Sequence, residues 1–126
     1  MGDPSGAGPE ILTKAWCDPA MRAMARWLAI GDAACLAQSM RITGACGEVR
    51  AVECTSEARY ADDVLDVLDL HNVDLDKLQF GKVQAMSGRA AYEAVECAVR
   101  LALAGEIDAI VTTALNKEAM NLAGYH

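Results

Sequence analysis

The sequence predicts an α/β domain built on a parallel sheet, and three observations carry that reading. Residues 107–111 are Ile-Asp-Ala-Ile-Val, a short β-branched apolar run followed by Thr112 and Thr113. The run is too short for a buried helix and reads as a buried strand. Directly before it, residues 88–104 place Ala90, Ala94, Ala98 and Ala102 four apart, and Gly105 then stands where a helix stops. Helix, glycine and buried strand in that order make the second half of a βαβ unit. Finally, 126 residues with 53% apolar content suffice for one domain with a real core and are too apolar for disorder.

The elements follow in chain order. Residues 2–10 hold three glycines and two prolines and form a loop. Pro9 suits the first position of a helix and Glu10 complements its positive end, with Ile11, Leu12, Ala15 and Trp16 at helical spacing. Asp18-Pro19 opens a second helical stretch reaching about Ala25. Trp27, Leu28, Ala29 and Ile30 read as a short buried strand, and Asp32 as the N-cap of a helix over residues 33–40. Gly44 and Gly47 bracket a turn, after which residues 49–54 alternate apolar and charged side chains as a half-exposed strand does. Residues 55–78 are acidic. Their spacing of Asp62, Asp63, Asp66 and Asp69 fits no calcium loop, because the central glycine and the terminal glutamate are absent. They read as a solvated acidic face backed by Val64, Leu65, Val67, Leu68 and Leu70, with His71 on the surface. Ser87 reads as the cap of the long alanine-rich helix, and Asn116 as the cap of a last helix over residues 117–122.

Composition excludes several functions. The net charge is −7 and the pI about 4.7, which disfavours a nucleic-acid binder, since phosphate backbones need clustered Lys and Arg. No apolar run reaches membrane-spanning length, and the polar opening does not resemble a signal peptide. The five cysteines are odd in number and contain no C-x-x-C pair. They read as reduced core thiols of a cytoplasmic protein rather than as disulfides, zinc ligands or a nucleophile.

Ligands of open α/β sheets bind beyond the carboxyl ends of strands, which makes residues 112–118 the first place to look for a site, with Thr112, Asn116 and Lys117 as candidates for a cleft. Lys117 is notable because a lysine in the first helical turn opposes the helix dipole, so another need is expected to hold it there. The opening loop, through Asp3, Ser5, Gly6 and Gly8, can present backbone N–H groups to an anion, although it matches neither G-x-G-x-x-G nor a Walker loop. The alternative is a turn that only caps its helix. The loop is expected to face the same cleft as Asn116 and Lys117.

Two stretches, in this order and spacing, resemble the PdxA family, the 4-hydroxythreonine-4-phosphate dehydrogenases and their relatives. Residues 1–10, MGDPSGAGPE, are similar to that family's G-D-P-[AS]-G-I-G-P-E opening. Gly81, SGRAA at residues 87–91, GEIDAIVTTALNKEA at residues 105–119 and Ala123-Gly124 are similar to its G-x₆-G-x-A helix followed by D-A-[IL]-V-T-x-P-[IL]-N-K-E-A. The resemblance implies a Rossmann-like α/β/α fold, part of a two-lobed architecture related to isocitrate and isopropylmalate dehydrogenases. It implies a homodimer with an interlobe active site. The implied chemistry is NAD- or NADP-dependent oxidation of the secondary alcohol of a small phosphorylated hydroxy acid, of the 4-phosphooxy-threonine or 4-phospho-threonate/erythronate type, with a divalent metal polarising the developing ketone. Residues 70–74, with the Asn-Lys-Glu-Ala form, look more like the threonate/erythronate relatives.

The departures also carry information. Ala114 replaces the usual proline and Ala7 the usual isoleucine. The family continues past Ala-Gly into a G-H-T motif, and His126 comes a few positions too early to be its histidine. The metal ligands and the phosphate-binding Lys, Asn and Arg lie further on still. The resemblance therefore implies the N-terminal portion of such an enzyme, with the first strand and C-terminal half absent. No metal ligand or catalytic residue is assigned within residues 1–126, and the cofactor site is unknown. Taken alone, the chain is expected to lack turnover. The competing readings are an inactive truncated α/β domain and a small phosphate-binding module.

Overall fold

The computed structural model describes all residues, Met1–His126. Three strands, β1 (Ala29–Gly31), β2 (Glu48–Val52) and β3 (Val64–Asp69), run parallel in the order β1-β3-β2. Five helices accompany them: α1 (Gly8–Cys17), α2 (Pro19–Arg22), α3 (Ala33–Thr43), α4 (Ala85–Leu103) and α5 (Lys117–Leu122), with a 3₁₀ turn at Thr55–Glu57.

The pleat sorts side chains to two faces, because neighbours along a strand point oppositely. Ala29, Leu65 and Val67 meet Trp16, Ala33, Cys35, Leu36 and Met40 beneath α1 and α3. Ile30, Val52 and Leu68 meet Ala94, Cys97 and Ala98 of α4 on the other face. The result is the expected three-layer α/β arrangement. The small residues of α4 let it lie close to β1, and Gly88 carries that closeness onward to α5. A Cβ there would stand 2.0 Å from the Ala119 carbonyl oxygen. The stacked rings of Tyr92 and Tyr125, 3.7 Å between centroids, hold the chain end against α4.

Most caps follow the sequence. Asp18 accepts from the N–H groups of Ala20 and Met21, Asp32 from Cys35, and Asn116 from Ala119. Gly44 closes α3 at φ 64°.

Four expectations are corrected. Residues 64–69 are not the dry side of a solvated acidic face but the central strand of the sheet. Their aspartates misled because Asp66, 1% exposed, is neutralised across the ladder by Arg50, and Asp69 accepts from the N–H groups of Ala33 and His71.

Residues 107–112 have no regular secondary structure and lie outside the sheet, and none of their backbone groups pairs with another. Val111 is 92% exposed. The edge of β1 that would receive a further strand is approached instead by Met1, whose nitrogen donates to the Ile30 carbonyl at 2.8 Å. Residues 1–3 thus run between β1 and the turn at residues 113–114.

The long helix starts before Ser87, at Ala85, with Gln84 as an N-cap that makes no side-chain cap bond. Ser87 is buried within the first turn. Of the cysteines, only Cys35 and Cys97 are core; Cys17 is half-buried, and Cys46 and Cys54 are exposed.

Candidate functional site

The opening loop and the segment after residue 112 come together at the carboxyl end of the sheet. Gly2 has φ 77°, and a Cβ there would stand 2.4 Å from Thr113 Oγ1 and 2.6 Å from the Ala114 carbonyl, so only glycine fits. Asp3 donates its backbone N–H to the Ala114 carbonyl at 2.9 Å. The Thr113 hydroxyl donates to the Met1 carbonyl at 2.6 Å. The Asp3 side chain accepts from the Ser5 N–H at 2.8 Å. Burial lifts the Asp3 carboxyl above its ordinary range, while the Ser5 N–H and the nearby Asn116 side chain favour the anion and pull the other way.

Ser5 is fastened to the start of α4. Its hydroxyl donates to Gln84 Oε1 at 3.1 Å and lies 2.5 Å from Ser87 Oγ. Gln84 also accepts from the Gln79 N–H and donates to the Lys77 carbonyl. The Gly81 N–H donates to the Ser5 carbonyl. Gly8 has no room for a side chain, since a Cβ would lie 2.7 Å from the Met1 carbonyl. Gly6 is exposed at the tip of the loop.

Asp3 and Asn116 are thus brought together, and Ser5 and Gly8 hold the loop in place. Thr112 and Lys117 are exposed at the rim, and Lys117 makes no ion pair. The Asp3 side chain accepts the Ser5 N–H, so that donor of the loop is already engaged. Sequence reasoning missed Met1 and Gln84 as parts of this junction and misread Ser87. Thr113, next to the predicted strand end, lay within the stretch it singled out.

A second cluster lies at the ends of β1 and β3: Asp32, Asp69 and His71, with ligand atoms within 4.8 Å of one another. It does not fit a resident metal. Both Asp32 oxygens are taken, by the Cys35 N–H at 2.9 Å and the Val73 N–H at 3.0 Å. Asp69 Oδ1 accepts from Ala33 and His71, each at 3.0 Å. These backbone bonds hold both carboxylates in capping roles, and the third member, His71, has a side chain 92% exposed, so the three side chains make an incomplete set for a divalent ion. The cluster caps α3 and closes the turn after β3.

The family model described as "Pyridoxal phosphate biosynthetic protein PdxA" matches residues 23–126. A Symbiobacterium thermophilum protein named "Putative D-threonate 4-phosphate dehydrogenase" is 41% identical over 123 residues, covering 98% of this chain and 37% of its own length. The crystal structure of a 4-hydroxythreonine-4-phosphate dehydrogenase from Burkholderia phymatum superposes with a TM-score of 0.95 and 42% identity, covering 99% of this chain and 38% of that one. One from Klebsiella pneumoniae gives 0.92 and 36%, with coverages of 99% and 38%. The chain therefore spans well under half the length of these relatives. With the family model covering residues 23–126, most of its length, this chain belongs to the PdxA family.

Proposed function

We propose that this chain forms one wall of the substrate cleft in an NAD- or NADP-dependent dehydrogenase. That enzyme oxidises the secondary alcohol of a small phosphorylated hydroxy acid, of the 4-phosphooxy-threonine or 4-phospho-threonate/erythronate type. The observation that carries this reading is the junction of Gly2 and Asp3 with Thr113, Ala114 and Asn116 at the carboxyl end of the sheet. The named dehydrogenases among its relatives support it. The divalent metal and the dinucleotide that such an enzyme uses are assigned to residues outside this chain, where the family resemblance puts the metal ligands.

In this reading residues 1–126 are the N-terminal portion of the enzyme. A strand leading into Met1 would pair with the open edge of β1 on one side and residues 107–112 on the other. As an amide in such a strand, the Met1 nitrogen would keep its bond to Ile30 without a buried charge, and burial already lowers that amine to about 6. A homodimer and a cytoplasmic location belong to the same proposal. Exposed Ile110, Val111, Leu115 and Leu122 support a further protein surface packing there. No helix is long and apolar enough to cross a membrane.

Lys117 is the residue that tests the cleft. Its ammonium is exposed at the rim and lacks an acidic partner. A charge-assisted bond to an anionic substrate is worth about 1.5–3 kcal/mol. Lys117→Met in the full-length enzyme is then expected to lower kcat/KM roughly tenfold to hundredfold at an unchanged melting temperature. Unchanged kinetics would remove Lys117 from the site and weaken the cleft assignment with it.

A further inference from the structure

We infer that Cys17 and Cys46 form a reversible disulfide that clamps the end of α1 to the turn between α3 and β2. This inference is independent of the proposed activity. Cys17 is the last residue of α1, and its Sγ lies 2.8 Å from the Cys46 carbonyl oxygen. Cys17 Sγ therefore lies against Cys46 itself, whose thiol is near enough to raise that of Cys17.

The segments bearing them pack closely. The Trp16 ring fits against Gly47 so closely that a Cβ there would stand 2.5 Å from it. Arg22 fixes the end of α1 from the other side, donating to the Trp16 carbonyl and lying over its ring at 5.2 Å. The turn is fixed in turn by Gly44 and Gly47, both at positive φ, and by the Ala45 N–H on the Met40 carbonyl. Cys35 and Cys97 are sealed in the two cores on opposite faces of the sheet. Cys54, though exposed, has Ser56 as its polar neighbour rather than another thiol.

The chemistry needs a low-molecular-weight disulfide as oxidant. Cys46, exposed, is the entry sulfur. Its thiolate attacks one sulfur of oxidised glutathione, forming a mixed disulfide and releasing one glutathione thiolate. Cys17 then attacks the Cys46 sulfur, closing the Cys17–Cys46 bond and releasing the second glutathione. Two protein thiols are oxidised, one disulfide is reduced to two thiols, and the two protons pass to the departing thiolates. Burial, followed by the neighbouring Cys46 thiol, pushes the Cys17 thiol up to about 11. Cys17 is therefore a poor first attacker and suits the resolving role. The bridge encloses α2, β1 and α3, and ties the helix that carries the cleft loop to the turn before β2.

The test is equilibration of the folded protein with graded ratios of reduced to oxidised glutathione, followed by acid trapping and peptide mapping. The expected result is a Cys17–Cys46 crosslinked peptide, reversed by dithiothreitol, with a higher melting temperature in the oxidised form. Cys46→Ser should abolish both the crosslink and the shift. Cys17→Ser, or Cys17→Ala should the serine fold poorly, should instead accumulate glutathione on Cys46. Cys54→Ser should leave the crosslink intact. Glutathione persisting on Cys46 beside a free Cys17, a Cys46–Cys54 pairing, or a crosslink that appears only in denaturant would each overturn the inference.

Discussion

Asp66 offers the sharpest test of how this sheet is held. It sits in the central strand at 1% exposure. Its Oδ1 accepts from Arg50 Nε at 2.8 Å and from Arg50 Nη2, and its Oδ2 from the N–H groups of Arg59 at 2.8 Å and Tyr60 at 2.9 Å. The same carboxylate therefore pins the chain at Tyr60, which holds φ 55°, a conformation unfavourable for a bulky residue. Asp66→Ala removes the acceptor for all of these donors. Arg50, with its side chain 29% exposed, recovers part of its hydration. The two backbone N–H groups recover less. Hydrogen bonds to charged groups are worth about 1.5–3 kcal/mol each, and losing one partner of a buried pair costs about 3–5 kcal/mol. The Arg50 exposure places the expected loss at the lower end, about 3 kcal/mol. At a urea m-value on the order of 1.5 kcal/mol/M, this moves the midpoint down by about 2 M with the slope unchanged. Arg50→Met leaves Asp66 its backbone donors but strips the buried carboxylate of its counterion, and should cost about 3 kcal/mol as well. The pH dependence has a definite sign. Burial alone would raise the Asp66 carboxyl, but the Tyr60 N–H, the Arg50 guanidinium and the Arg59 N–H hold it below its ordinary range. Its stabilisation is thus complete above the unfolded carboxylate range near pH 4 and is lost as pH falls through the lowered folded value. The wild-type advantage over Asp66→Ala should shrink only below about pH 4. A loss under about 0.5 kcal/mol at neutral pH would refute the assignment of Asp66 as the tie between β2, β3 and the 59–60 turn.

Two further outcomes follow from packing and capping. Gly88→Ala places a Cβ 2.0 Å from the Ala119 carbonyl and should push α5 from α4 at a cost of about 1–3 kcal/mol, read as faster amide exchange in α5 than in α3. Asn116→Ala loses the cap on the Ala119 N–H and should cost about 1 kcal/mol by thermal melting, while Asn116→Asp should retain most of it.

Much of this chain is legible from local chemistry. Asp18 before Pro19, Asp32 before Ala33 and Asn116 before Lys117 each mark a helix start, because the orphan N–H groups of a first turn need an acceptor within three residues, and Pro9 marks one because its fixed φ and missing N–H suit a first turn. The alanine spacing of residues 90–102 marks a helix that packs closely on a sheet. The family motifs follow from the same stretches, and they lead to Asp3 and Asn116 at one junction. What local chemistry does not contain is which segment pairs with which. Residues 64–69 look acidic until Arg50 arrives across the ladder and the chain at residues 59–60 folds back to donate its N–H groups. Residues 107–112 look like a core strand, yet β-branched side chains form a strand only beside a backbone with open donors and acceptors, and Met1–Asp3 meets this segment only at its far end. Ser87 looks like a cap until Ser5, remote in sequence, buries against it. Caps and periodicity act within a few residues, whereas strand order, charge pairing and the meeting of the opening loop with Thr113 depend on contacts that exist only after the chain has closed on itself.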